Sequence, residues 1–225
     1  MSEFDLANAP VRELNQSLHD EQTAGQSIAV NHPGGKHNVA TGAMVECNVD
    51  IHGHVGYYCA GMNQKANIVV HGNAGPGLAE NMMSGTVRVK GNASQYCGAT
   101  AHGGLLVIEG DAAARCGISM KGVDIVVGGS IGHMSAFMAQ TGRLVVCGDA
   151  GEALGDSIYE ARIYLRGQAK SLGTDCIEKP MEDEHRAELA ELLSAAGLSH
   201  SVDEFRRYGS ARQLYNFQID NVSAY

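Results

Sequence analysis

Residues 86–104 read TVRVKGNASQYCGATAHGG, and the next three blocks of equal length read LLVIEGDAAARCGISMKGV (105–123), DIVVGGSIGHMSAFMAQTG (124–142) and RLVVCGDAGEALGDSIYEA (143–161). Each block opens on an apolar run and carries a glycine at its sixth position. That glycine stands at Gly53, Gly72, Gly91, Gly110, Gly129, Gly148 and Gly167, always 19 residues apart. Four residues before it come Val49, Ile68, Val87, Leu106, Ile125, Leu144 and Ile163. Two before it come Ile51, Val70, Val89, Ile108, Val127, Val146 and Leu165. Two after it come Val55, Ala74, Ala93, Ala112, Ile131, Ala150 and Ala169. A fixed period of this length is the signature of a solenoid, in which each repeat stacks on its neighbours.

The regular part of each block is strand. In Thr86-Val87-Arg88-Val89-Lys90 the valines point one way and the cations the other, a period of two. Nineteen residues are too few for a βαβ crossover of about 30. They suit one coil of a parallel β-helix, in which short strands pair with their equivalents one coil away. The reading is therefore all-β: about seven coils with short helical segments at both ends. The blocks also share a G-x-x-G-x-x-x-G pattern with small substitutes: Gly53, Gly56, Ala60; Gly72, Gly75, Ala79; Gly91, Ser94, Gly98; Gly110, Ala113, Gly117; Gly129, Gly132, Ala136; Gly148, Gly151, Gly155. Such corners need positive φ or close backbone approach. A phosphate cradle needs one glycine loop, not six in register, so these glycines are assigned a structural role.

Three segments follow. Residues 1–42 form a helix and an irregular cap, 43–176 the β-helix, and 177–225 a helical tail. In the first, Val11, Leu14 and Leu18 share a face behind Pro10, and Gly34 lies 19 before Gly53 with Ile28 and Val30 ahead of it. In the last, acidic Glu182, Asp183 and Glu184 precede the stripe Leu189, Leu192, Leu193 and Ala196, and Gly197 stands at the C-cap. Ser201 and Glu204 have capping-box spacing, which predicts a second helix. Phe205, Tyr208, Tyr215, Phe217 and Tyr225 make the end of the chain aromatic.

Composition narrows the function. The chain has 225 residues, 29 glycines and a formal charge of −9, with no basic stripe to suggest nucleic acid. No apolar run reaches about 18 residues and the N-terminus lacks a signal-peptide core, so the expected location is cytoplasmic, off the membrane. Cys59, Cys97 and Cys116 share one repeat column with Leu78 and Leu154, which marks packing positions. Cys97 and Cys116 fall on adjacent coils, and a disulfide between them stays open. His52 and His71 stack outward one coil apart, with His54 close by, but their column continues through Lys90, Glu109 and Arg166 as a solvated face. No catalytic, cofactor-binding or metal-ligating residue is assigned.

One outward column is unusual. Three residues before each repeat glycine come Asp50, Val69, Arg88, Val107, Val126, Val145 and Tyr164. The last four make an apolar strip over four coils, which needs a cover: the chain's own tail or a partner. Val107, Val126, Val145, Tyr164, Tyr208, Tyr215 and Phe217 are the candidate interface.

The 19-residue G-x-x-G-x-x-x-G coils, the acidic-to-apolar helix and Tyr208-Gly209-Ser210-Ala211-Arg212 together resemble the C-terminal GXGXG domain of the large subunit of bacterial glutamate synthase. The likeness runs from about residue 25 to about residue 220. It implies a right-handed parallel β-helix. A chain made of this domain alone is similar to the small GlxC-type subunit of N-methylglutamate synthase (methylamine–glutamate N-methyltransferase). There the implied partners are a glutamine-amidotransferase-like subunit and an FMN-binding barrel subunit with iron–sulfur ligands, joined in a hetero-oligomer. FMN and the cluster belong to the barrel subunit, none to this chain. The family's domain carries no catalytic residue and holds the two others in position. The C-subunit of formylmethanofuran dehydrogenase shares the repeat and gives an alternative. An independent polysaccharide-active β-helix would need acids clustered on neighbouring coils, and Glu109, Asp111, Asp124 and Asp149 form no stacked pair.

Overall fold

The structure is a computed structural model that describes residues 2–214. Its strands are β1 (Ser2–Asp5), β2 (Ser27–Asn31), β3 (Asn48–His52), β4 (Asn67–Val70), β5 (Thr86–Val89), β6 (Leu105–Ile108), β7 (Lys121–Val127), β8 (Thr141–Val146), β9 (Arg162–Leu165), β10 (Cys176–Lys179) and β11 (Arg206–Ser210). The helices are α1 (Val11–Ser17) and α2 (Asp183–Ala196). All strands join one sheet in the order β1 to β9, then β11, then β10. From β1 to β9 every pairing is parallel. This is a parallel β-solenoid of about seven turns.

The repeat columns are the physical register. Ile68 pairs with Val87 and Val87 with Leu106; Val70 pairs with Val89 and Val89 with Ile108. These side chains are buried and form the axis of the core. Each fully buried branched aliphatic contributes about 1.5–3 kcal/mol. A second seam of single bridges runs Val55, Ala74, Ala93, Ala112, Ile131, Ala150, Ala169.

The coil also carries a polar ladder that sequence reading missed. The residue after each repeat glycine accepts a hydrogen bond from the backbone N–H of its equivalent one coil on. Asn73 Oδ1 accepts from Asn92 N, Asn92 Oδ1 from Asp111 N, and Asp111 Oδ1 from Ser130 N, at 2.8, 2.8 and 2.7 Å. Ser130 and Asp149 continue it to Gln168. The repeat glycine leaves room for that side chain. A Cβ at Gly129 would lie 2.1 Å from Asp111 Oδ1 and 2.9 Å from the Gly110 carbonyl oxygen. From Gly72 to Gly167 close approach, not positive φ, therefore requires glycine in this column; Gly53 alone in it also has positive φ, 145°.

Positive φ operates further round the coil. Positions five, seven and nine after the repeat glycine are left-handed in every full coil: Tyr96, Gly98 and Thr100 have φ of 64°, 68° and 52°. The same three positions are Tyr58, Ala60 and Met62 in an earlier coil. A non-glycine residue there costs on the order of 1–2 kcal/mol. The alternation turns successive N–H groups toward opposite neighbours. Tyr96 N and Thr100 N donate forward to Ala114 O and Ile118 O, and Gly98 N donates back to Leu78 O, at 3.1, 2.9 and 2.8 Å. These bonds between coils offset the strain.

The ends differ from the sequence reading. The N-terminal segment joins the sheet, with β2 in register on β3. Ile28 pairs with Val49, 21 residues on, because this coil holds one additional residue in the corner between Asn31 and the left-handed Asn38 and another between Gly42 and β3. Gly34 is thus not the equivalent of Gly53. At the other end Leu154 bridges Leu172, a coil of 18. The helix expected from Ser201 is a single 3-10 turn, Val202–Glu204, followed by β11, which runs antiparallel to both β9 and β10. Glu204 pairs with Arg166 at the end of β9, and Ser201 Oγ accepts the Asp203 N–H of the turn.

Gly129→Ala should lower stability by about 3 kcal/mol in urea unfolding, as overpacking against fixed backbone does. Gly209→Ala, whose new Cβ would meet nothing closer than 3.8 Å, should stay within about 0.5 kcal/mol of the parent.

Candidate functional site

The outward apolar strip is covered by the chain itself. Val107, Val126, Val145 and Tyr164 are each 0% exposed and form a second core with Leu189, Leu192, Leu193 and Ala196 of α2 and with Phe205. Of the two covers left open by the sequence for these four candidate-interface residues, the structure has the tail in place. Tyr208 is also buried, packed into the solenoid core from β11. Tyr215 and Phe217 lie outside the described residues.

The helix is fixed at both ends. His185 Nδ1 accepts the Glu182 N–H at 3.3 Å. At the C-terminus Gly197 has φ 71°, and Leu198 N donates to Leu193 O, closing a Schellman turn. Arg88, which ends the apolar column, donates to Ala196 O at 3.1 Å, placing a cation at the negative end of the helix dipole. Near the other end Glu188 meets Arg162 Nη1 at 2.6 Å and Arg143 Nη1 at 3.5 Å, and accepts from the Tyr164 hydroxyl. Burial, then the Glu188 carboxylate, pushes the Tyr164 phenol upward. The hydrogen bond to Asp124 raises Arg143.

Glu109 lies between Lys90 Nζ at 2.7 Å and Arg88 Nη1 at 3.0 Å. Burial opposes its charge, but hydrogen bonds from Lys90 and Arg88 prevail and hold its pKa below the ordinary 4.5. Because the folded value is depressed, this carboxylate's stabilisation is complete above about pH 4.5 and is lost as pH falls through the folded value.

The cysteines belong to the interior. All six are buried and none is in a disulfide, which settles the Cys97–Cys116 question. Burial pushes Cys59 up to about 12, Cys176 to about 12 and Cys147 to about 11. Cys116 is raised by its hydrogen bond with Cys97 and by burial. Such thiols are neither nucleophiles nor ligands at neutral pH. Among the histidines, His52 and His71 stack at 5.0 Å, His71 Nε2 sits 2.8 Å from Asp50 Oδ1, and His54 Nδ1 accepts Asn73 N. Their nitrogens serve the ladder and the surface. Among the described residues, Glu182, Glu184 and His185 bring three donor atoms within 4.8 Å of one another. That cluster is the helix cap just described.

Two adjoining open concavities lie toward the C-terminal end of the solenoid. A cleft of about 590 Å³ is lined by Met138, Gln140, Thr141, Tyr159 and Glu160. Beside it a second, of about 240 Å³, lies over β9, β11 and β10 and is bordered by Arg162, Lys179, Arg207 and Arg212. The four cations come from three separate stretches of sequence, so no motif announced them; of the cleft's lining only Gly209, Ser210 and Arg212 fall within a stretch singled out by resemblance. Among the described residues no helix is long and apolar enough to cross a membrane.

At neutral pH a thiol reagent should leave all six cysteines of the native chain unmodified and reach them only in denaturant. Glu109→Gln should flatten the fall of Tm below about pH 4.5 relative to the parent. Arg88→Met should cost about 1 kcal/mol through loss of the helix contact, measured by urea unfolding.

No protein-family profile matches the chain, and no solved structure does. Protein GlxC of Rhizobium meliloti (strain 1021) is 60% identical over 228 residues, covering 100% of both chains. With its whole length aligned at that identity, this chain belongs to the GlxC family.

Proposed function

We propose that this chain is a non-catalytic scaffold subunit of a glutamate synthase-like enzyme, most closely of the N-methylglutamate synthase kind. It would position a glutamine-amidotransferase-like subunit against an FMN-binding barrel subunit that carries the flavin and an iron–sulfur cluster. The observation that carries the reading is the commitment of chemically capable side chains to the fold. The six thiols are buried on separate coils, His54 and His185 accept backbone N–H groups, and the arginine–carboxylate network secures α2. A solenoid stacked by continuous ladders makes a stiff post, which suits holding two other subunits at fixed separation. The full-length likeness to a GlxC protein agrees with a free-standing subunit.

Co-expression with candidate amidotransferase-like and FMN-barrel subunits should give a complex that copurifies in size exclusion with flavin absorbance. The chain alone should be colourless and without glutaminase or methylamine-dependent activity. A chain that elutes alone in the presence of both would overturn the proposal. Copurification with a molybdenum or tungsten subunit instead would favour the formylmethanofuran dehydrogenase alternative.

A further inference from the structure

The basic cleft of about 240 Å³ carries an arrangement that the scaffold reading does not use. On the antiparallel pair β10–β11, Lys179 stands directly opposite Arg207. Like charges facing each other across strands destabilise the pair. Arg207 Nε donates to Pro180 O at 2.9 Å, which orients the guanidinium and leaves its terminal nitrogens without a partner among the described residues. Lys179 likewise has no carboxylate at ion-pair distance among them. The register of β11 on β9 puts Gly209 at the next position, beside Arg162. Gly209 has no side chain and lines the cleft, where an added Cβ would make only ordinary contacts, the nearest atoms at 3.8 Å. It forms a floor between cations.

The opposing charge in the cleft is already engaged. Glu160 pairs with Arg212 at 3.0 Å, and Glu188 holds Arg162 at 2.6 Å. Four cations thus converge on one small concavity of a chain whose formal charge is −9, which a generally basic surface cannot explain. A divalent oxyanion would relieve the repulsion. A guanidinium fork matches two of its oxygens and the lysine ammonium a third.

We propose that this cleft binds a small oxyanion, the phosphate or dicarboxylate group of a soluble ligand, seated between Lys179 and Arg207 over Gly209. The inference stands apart from the scaffold reading, since it concerns the isolated chain. The test is calorimetric and thermal titration of the full chain with inorganic phosphate and with malonate, against sodium chloride at matched ionic strength. At least one anion should bind saturably and raise Tm beyond the salt control, and the stronger of the two names the class. The double variant Lys179→Met/Arg207→Met should have a higher Tm without anion and at least a tenfold weaker response to it. Gly209→Leu, which keeps every charge but fills the floor, should also lose the response while retaining the parent's circular dichroism. No effect beyond salt, or an undiminished effect in the double variant, would overturn the proposal. A chain ending at Leu214 should bind with unchanged affinity. A tenfold gain there would mean that the chain's own terminal residues, Asp220 among them, take the place assigned to the anion, and the proposal would fall.

Discussion

The fold depends on how closely one coil can lie on the next. Strand pairing fixes the separation at about 4.8 Å, and the rest of the coil must meet that spacing away from the strands as well. At the repeat glycine the chain carries a side-chain acceptor from the coil below, within 2.1–2.5 Å of where a Cβ would stand on Gly110, Gly129, Gly148 and Gly167. The glycine and the acceptor are two halves of one device. Removing the side chain at one position admits the hydrogen bond that closes the ladder at the next.

The second device trades local strain for bonds between coils. Three left-handed residues per coil are a strained choice for alanine, tyrosine or serine, yet Ala79, Tyr96 and Ser119 adopt it. Alternation of φ directs the N–H groups of every second residue alternately up and down the axis, so the turn is hydrogen-bonded to both neighbours without being a strand. A buried turn without such partners would leave unpaired donors at a cost of about 1–3 kcal/mol each. The small residues of this corner therefore have a different cause from those at the repeat glycine, although both columns look alike in sequence.

The tail is part of the solenoid's surface. Val107, Val126, Val145 and Tyr164 give the outer face of the sheet a hydrophobic stripe, and α2 presents leucines to it at helical spacing. Arg88 at one end and Glu188 at the other set the helix along the coils. Beyond Tyr164 the same outward column continues into β11 and β10 as Arg207 and Lys179, where the helix no longer covers it. The dry part of that face is structural and the wet part is strongly cationic. Strand β11, inserted antiparallel, marks the boundary and ends the run of parallel coils.

Period alone determined the solenoid, its register from Val49 to Leu165 and the burial of the cysteine column, because stacking repeats a local pattern that each coil must satisfy separately. The two helices were legible from their own apolar spacing and end residues. The sequence could not distinguish close approach from left-handed φ as the reason for a glycine, since both select the same residue. It misplaced the first coil, where Pro33 and its neighbours lengthen a corner, and read Ser201-to-Glu204 as a helix start. Glu204 there answers to Arg166, 38 positions earlier. Likewise the cover of the apolar strip and the cluster of Arg162, Lys179, Arg207 and Arg212 were decided only by tertiary structure. The first sets a helix on parallel strands distant from it in sequence, and the second forms where β11 reverses the chain direction, neither of which a local pattern encodes.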